Sequence, residues 1–168
     1  MQNAKDTFYL TLQGRLAALN PARTIVVRGV VRPGILVDEN ELPTVAVPVD
    51  AFRLDWTALR VDNEQPLPMV TMECSIRYAT DGDAGNGGMD RGRLLAAMDA
   101  ELAAALGVPP HTVAKMNYSG ASAGVAPDVM ATNVFWADPV FREAVAVGGR
   151  LERMATVQVL GYQEAGEL

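Results

Sequence analysis

The clearest pattern in the chain runs from Met69 to Leu106. In VTMECSIRYAT, Val70, Met72, Cys74, Ile76 and Tyr78 alternate with Thr71, Glu73, Ser75 and Arg77. A period of two with one apolar face predicts a strand in a sheet covered on one side. In MDRGRLLAAMDAELAAAL, Leu94, Met98, Leu102 and Leu106 recur every four residues, with Leu95 beside them. That spacing predicts a helix with one apolar stripe. The strand's uncovered face and the helix's stripe match, so the helix is expected to cover the sheet. The glycine-rich DGDAGNGG between them reads as a connector, with Asp90 or a neighbour capping the helix.

The same reading applied to the rest of the chain predicts an N-terminal helix from Asp6, its cap, to Leu19. Its stripe is Phe8, Leu12, Leu16 and Leu19, and Asn20-Pro21 ends it. Thr24–Val31 is β-branched and reads as one strand, followed by a turn at Arg32-Pro33-Gly34. Short apolar runs at Ile35–Val37 and Thr44–Val49 flank an acidic turn, Asp38 to Glu41. Phe52, Leu54 and Trp56 alternate as in a strand, yet residues 50–68 as a whole read as an insert, with a loop at 62–66. Gly107 and Pro109-Pro110 stop the central helix. Residues 107–150 have weak periodicity and read as a long irregular excursion, with a short helix over Pro139–Val147. Leu151–Tyr162 alternates again as a closing strand, and QEAGEL reads as a frayed tail. The expected order is α-β-β-β-β-α-β: an α+β domain over residues 1–168. Its sheet is mostly antiparallel with about four to five strands, both helices pack on one face, and inserted loops lie at 50–68 and 107–150.

Composition narrows the class. A chain of 168 residues with 49% hydrophobic residues supports one domain with a core. No apolar run approaches the ~18–20 residues that span a bilayer, and the N-terminus lacks the basic and apolar blocks of a secretory signal. The net charge of −6, without a basic run, argues against a protein that grips nucleic-acid phosphates. The single cysteine, Cys74, excludes an internal disulfide and a cysteine-only metal site. It falls on the strand's apolar face as a small buried thiol.

Each candidate for chemistry fails in its context. Gly120-Ala-Ser122-Ala-Gly124 matches the G-x-S-x-G elbow of hydrolases, but no strand enters it and no helix leaves it. The only histidine, His111, precedes the serine, against that fold's order. A small α+β hydrolase or ligand-binding protein using 111–124 is the alternative reading. The loop Asp81–Gly88 lacks the lysine and hydroxyl residue of a phosphate loop, and Asp81, Asp83 and Asp90 repel phosphate. A calcium loop starting at Asp81 needs a ligand at 85, glycine at 86 and glutamate at 92; the chain has Gly85, Asn86 and Gly92. His111 alone builds no metal site, and Asp38, Glu39 and Glu41 read as an exposed acidic turn rather than a catalytic pair. Trp56 and Trp136 read as core or interface aromatics. No nucleophile, base and orienting group group together, so no catalytic residue, metal or cofactor is expected.

The order of elements, with Ile35-Leu-Val-Asp-Glu-Asn-Glu-Leu-Pro-Thr-Val-Ala-Val47, the strand Thr71–Tyr78, the helix Asp90–Leu106 and the strand Met154–Tyr162, resembles the tail terminator proteins of long-tailed bacteriophages, the minor tail protein U type. The resemblance covers about half the chain and is one of element pattern more than identity. It implies a non-enzymatic subunit of a homohexameric ring at the tail–neck junction of the virion, made in the host cytoplasm. Such a ring caps the tail tube protein, ends polymerisation and joins the tail to a head-completion or neck protein. The chain's extra length makes a tail sheath a further partner. DNA passes through without specific binding, and no membrane is involved. On this reading Asp81, Asp83, Asn86, Arg91, Glu73, Arg77 and Trp136 are the expected subunit or partner contacts. Another head–tail joining protein of similar topology is the neighbouring alternative.

Overall fold

The computed structural model describes residues 1–39, 47–64, 66–82 and 89–167. Helix α1 (Gln2–Leu19) leads into β1 (Thr24–Val27), β2 (Val30–Pro33), β3 (Ile35–Val37), β4 (Phe52–Asp62) and β5 (Met69–Thr80). Helix α2 (Met89–Gly107) is followed by β6 (Thr112–Asn117), β7 (Asp128–Trp136), β8 (Val140–Phe141), β9 (Val145–Val147) and β10 (Arg150–Tyr162). The main sheet runs β3-β4-β5-β10-β7-β6, with β8 and β9 also on β10. Among the described residues it has eight strands, and β3 pairs with β4 in parallel. The expected mostly antiparallel sheet of four to five strands is therefore corrected to a larger, mixed one.

The added strands come from the segments read as inserts. Residues 50–68 hold β4, eleven residues long, and 107–150 hold β6 to β9. The helix expected over Pro139–Val147 is two short strands. There β7, β8 and β9 follow one edge of β10 in succession, pairing Trp136 with Val159, Val140 with Thr156 and Val147 with Arg150. Gly148-Gly149, at φ 54° and 88°, closes that hairpin in the left-handed geometry a two-residue turn requires. Of the expected strand Thr44–Val49, residues 44–46 lie outside the described ones, and Val49 makes a lone parallel bridge to Ala79.

One core joins these layers. Val70, Met72, Cys74, Ile76 and Tyr78 of β5 pack with Ala155, Val157 and Val159 of β10, and both helices lie on that face. From α1 come Ala4, Phe8, Leu12 and Leu16; from α2 come Leu95, Met98, Leu102, Ala105 and Leu106. Phe8 sits between Trp56 and Trp136, edge-on to each with centroids 5.9 Å away. The stripes are rotated slightly from the predicted ones, since Leu19 and Leu94 are exposed. Asp6 is not a cap: α1 begins four residues earlier, and Asp6 accepts from Gln2 Nε2 at 2.9 Å inside it.

The tail is held rather than frayed. Lys115, fully buried on β6, donates to the Tyr162 carbonyl (2.5 Å) and Glu167 Oε2 (2.7 Å), with Glu164 Oε1 at 3.5 Å. Glu164 in turn accepts from the backbone N–H groups of Ala131 and Thr132 and from the Thr132 hydroxyl. A buried ammonium needs such partners, because desolvating it unpaired costs several kcal/mol, on the order of the Born penalty after relaxation.

Candidate assembly interface

The chain turns at Arg28-Gly29, which divides the expected strand Thr24–Val31 into the ribbon β1–β2. This ribbon is a sheet of its own, in register from Thr24–Pro33 to Val27–Val30. Its root is fixed. Arg23 forks onto Glu101 of α2 at 2.6 and 2.8 Å, Asn20 donates to the same carboxylate at 2.8 Å, and the Gly34 N–H donates to the Arg23 carbonyl at 2.9 Å. Burial raises the Glu101 pKa, but the hydrogen bonds from Arg23 and Asn20 outweigh it and hold the carboxyl below its ordinary value.

Beyond the root the ribbon is apolar on both faces. Val26 and Val31 pair on one side and are each 66% exposed; Val30, on the other with Ile25 and Val27, is 62% exposed. A solvated ribbon ordinarily carries one polar face; apolar residues on both faces are the mark of strands covered on both. At the tip Arg28 is held at φ 50° and Gly29 at φ 81°. Those angles make the two-residue turn, yet the left-handed region costs a non-glycine residue about 1–2 kcal/mol.

The two edges of the main sheet differ. On β6 the Met116 N–H donates to Thr7 Oγ1 (3.0 Å) and the Tyr118 N–H to Asn3 Oδ1 (3.2 Å), so α1 closes that edge. At the other side β3 covers only Phe52–Leu54 of β4. From Thr57 to Asp62 the outer edge of β4 has no strand partner among the described residues. Leu59 and Val61 stand there partly in solvent, beyond the bulge between Trp56 and Ala58. Asp62 and Glu64 close the strand's end, with the Glu64 N–H donating to Asp62 Oδ1 at 2.9 Å.

The residues singled out from the sequence separate into groups. Glu73 and Arg77 lie on the sheet face opposite the helices, where Glu73 accepts from Thr57 Oγ1 at 2.9 Å and Arg77 is exposed. Arg77 also lines an open cleft of about 350 Å³ with Val47, Arg142, Val145 and Met154. Asp81, at the end of β5, pairs with Arg150 Nε at 2.8 Å, and its carbonyl accepts from Arg91 Nε at 2.7 Å. Asp83 and Asn86 lie outside the described residues.

Trp136, read from the sequence as a core or interface aromatic, lies in the core, 4% exposed. It belongs to a group that closes the C-terminus of α2. Trp136 Nε1 donates to the Leu106 carbonyl at 3.0 Å, and His111 Nε2 donates to that of Gly107 at 3.0 Å. Arg15 takes those of Ala105, Val108 and Pro110 at 2.9, 3.2 and 3.1 Å, and its guanidinium lies 5.0 Å from the Trp136 ring centroid. These carbonyls have no partner within the helix, and the three side chains supply one.

His111 Nε2 is thereby engaged at the helix end, and Nδ1 lies 3.8 Å from Asp138 Oδ1. Ser122 lies in an exposed single 3-10 turn, Ala121–Ala123, between β6 and β7, and no hydrogen bond joins it to His111 among the described residues. Burial pushes the Cys74 thiol well up, out of reach of thiolate chemistry near neutrality. Burial, then the hydrogen bond to Asp99, push the Tyr78 phenol up likewise. Asp38 and Glu39 are held by separate cations, Arg53 and Lys5. No group of three or more His, Cys, Asp or Glu side chains forms a metal cage among the described residues, and no helix among them is long and apolar enough to cross a membrane.

The ribbon and the open β4 edge were both missed from sequence. The signal for the first was the Arg28-Gly29 pair between two β-branched runs of similar length. Comparison with protein-family models and with curated proteins finds no match to this chain.

Proposed function

We propose that the chain is a non-catalytic assembly subunit of the tail-terminator kind. In this role its copies form a ring on the tail tube, end polymerisation and join the tail to a head-completion or neck protein. The observation that carries the assembly role is the β1–β2 ribbon. Complete burial of a valine side chain is worth about 1.5–3 kcal/mol, and three valines of this ribbon remain in solvent on both of its faces. A ribbon whose purpose was the stability of its own chain would fold those residues inward. A fixed root and an apolar body suit an arm that docks on another surface.

The attribution to a phage tail rests on the part of that pattern which the fold retains, the strand Thr71–Tyr78, the helix Asp90–Leu106 and the strand Met154–Tyr162, and one further feature supports it. A chain of net charge −6 suits a ring around a DNA channel, because it does not hold passing DNA. The non-catalytic part of the reading is supported by Trp136 Nε1 and His111 Nε2, which are both taken up by carbonyls at the end of α2. The test is electron microscopy of tails assembled without the protein. Tails of irregular or excessive length are expected; uniform tails of normal length would overturn the tail reading.

A further inference from the structure

We propose that the β1–β2 ribbon of one copy lies along the open edge of β4 in the next copy, with Arg28 against Asp62 and Glu64. The inference rests on the assembly reading above and names the surface through which copies meet. Three observations carry it.

The first is reach. The ribbon is rooted beside the start of β4, where the Gly34 carbonyl accepts from the Phe52 N–H at 2.8 Å. Among the described residues the open edge begins at Thr57, roughly 17 Å further along β4 at about 3.3 Å per residue, and Asp62 is about twice as far. Strands of four residues reach only about 13 Å. The ribbon therefore does not span its own edge, and the match is between copies. Ribbon and edge are unlike surfaces on one chain, so their contact is heterologous and propagates head to tail into a ring or a filament.

The second is charge. The ribbon, from Thr24 to Pro33, contains Arg28 and Arg32 and no acidic residue. The open stretch of β4 carries Arg60 within it, and its acidic groups, Asp62 and Glu64, gather at the far end. The tip arginine is held in a left-handed conformation, where asparagine or glycine would sit without strain. Strain of that kind is retained where the side chain has a use.

The third is backbone chemistry. Neither β1 nor β2 has a second strand beside it among the described residues, nor does the outer side of β4 from Thr57 to Asp62, and a strand edge carries backbone N–H and C=O groups. Strand addition satisfies both sets and covers the ribbon valines beside Leu59 and Val61.

The experiment uses two charge-reversed forms of the full chain, Arg28→Glu and Asp62→Arg/Glu64→Arg, with light scattering across a concentration series. Wild type is expected to self-associate. Each reversed form alone should lose roughly tenfold or more in association, as for one well-placed charge pair. Mixing the two should restore it, because each ribbon then meets an edge of opposite sign. A second variant, Val26→Thr/Val31→Thr, should also fail to associate while keeping its circular dichroism spectrum. A mixture that stays monomeric overturns the inference. So does a wild type that remains monomeric at every attainable concentration, or an Arg28→Glu chain that associates like wild type. Tail length reports separately: irregular tails without the protein, together with indifference to charge reversal, would sink the docking surface and leave the tail reading standing. Charge-dependent association with normal tails would do the reverse.

Discussion

At β6 the Met116 amide and, just past the strand, the Tyr118 amide are taken by Thr7 and Asn3 of α1, and the strand is pinned by buried Lys115. On β4 the outward groups from Thr57 to Asp62 have no strand partner among the described residues, and Leu59 is half in solvent. An edge closed by the chain's own helix belongs to the fold. An edge left open beside exposed apolar residues invites another strand, a hazard that folded proteins usually suppress with covering elements. The contrast teaches where stability ends and assembly begins. Substitutions at the β6 edge should unfold the chain; substitutions at the β4 edge and the ribbon should leave it folded and alone.

The largest expected effect lies at the closed edge. Lys115→Ala removes the cation that holds the Tyr162 carbonyl and Glu167, and leaves their polar atoms buried. A loss of about 3–5 kcal/mol in chemical denaturation is expected, as for one partner removed from a buried pair. A loss under about 1 kcal/mol would show that the cluster is solvated and that β6 is not pinned this way.

Next comes Thr7→Val. Its hydroxyl donates to the Asn3 carbonyl and accepts from Met116, so the isosteric change strands the edge amide. About 1–3 kcal/mol should be lost, with Met116 exchanging its amide proton faster. Unchanged exchange would mean that α1 does not close the edge.

Acid should act on the same side of the molecule. Burial raises the Glu167 pKa, but the hydrogen bonds from Lys115 and the Glu164 N–H outweigh it and keep the carboxyl below its ordinary value of 4.5. The Thr132 hydroxyl, with backbone N–H groups and Lys115, holds Glu164 below it as well. A carboxylate whose folded pKa is lowered contributes stability that is present above its unfolded value and lost as pH falls through the folded one. Thermal stability should therefore fall below about pH 4.5, and Glu167→Gln should flatten that fall. An equally steep fall in the variant would place the acid sensitivity elsewhere.

The smallest effect on stability belongs to the ribbon. Arg28→Asn relieves a left-handed arginine with the residue a two-residue turn favours, and should raise stability by about 1 kcal/mol or less. The same change should weaken self-association. A variant that gains stability and associates normally would detach the strained turn from assembly.

The pattern of the chain made some of this legible and hid the rest for physical reasons. β5 and β10 bury one face against the helices, so their alternation is clean and their side-chain directions follow from it. α2 announces itself by its four-residue spacing. β6 was hidden because its one fully buried side chain is a lysine, which reads as a solvent position until Tyr162, Glu164 and Glu167 are seen around it. β7 was hidden because its apolar residues are split between a buried end, Val134 and Trp136, and an exposed Val129. β8 and β9 are too short to show any period. The ribbon reads as a single strand because β-branched residues lie on both sides of Arg28-Gly29. Of the expected contact residues, Glu73 and Arg77 lie on the sheet's outer face, while Asp81 and Arg91 share a local junction. The capping role of Trp136 is not legible, because a sequence does not reveal which carbonyls a helix end leaves unpaired.

Hydrogen–deuterium exchange on the dilute and the associated chain tests the central claim most directly. Met116 and Tyr118 should be protected in both samples. The amides of Thr57–Asp62 that do not bond to β5 should exchange freely when dilute and slow down on association, together with outward amides of the ribbon. Protection of those β4 amides in the dilute chain, or their free exchange in the associated one, would contradict that claim.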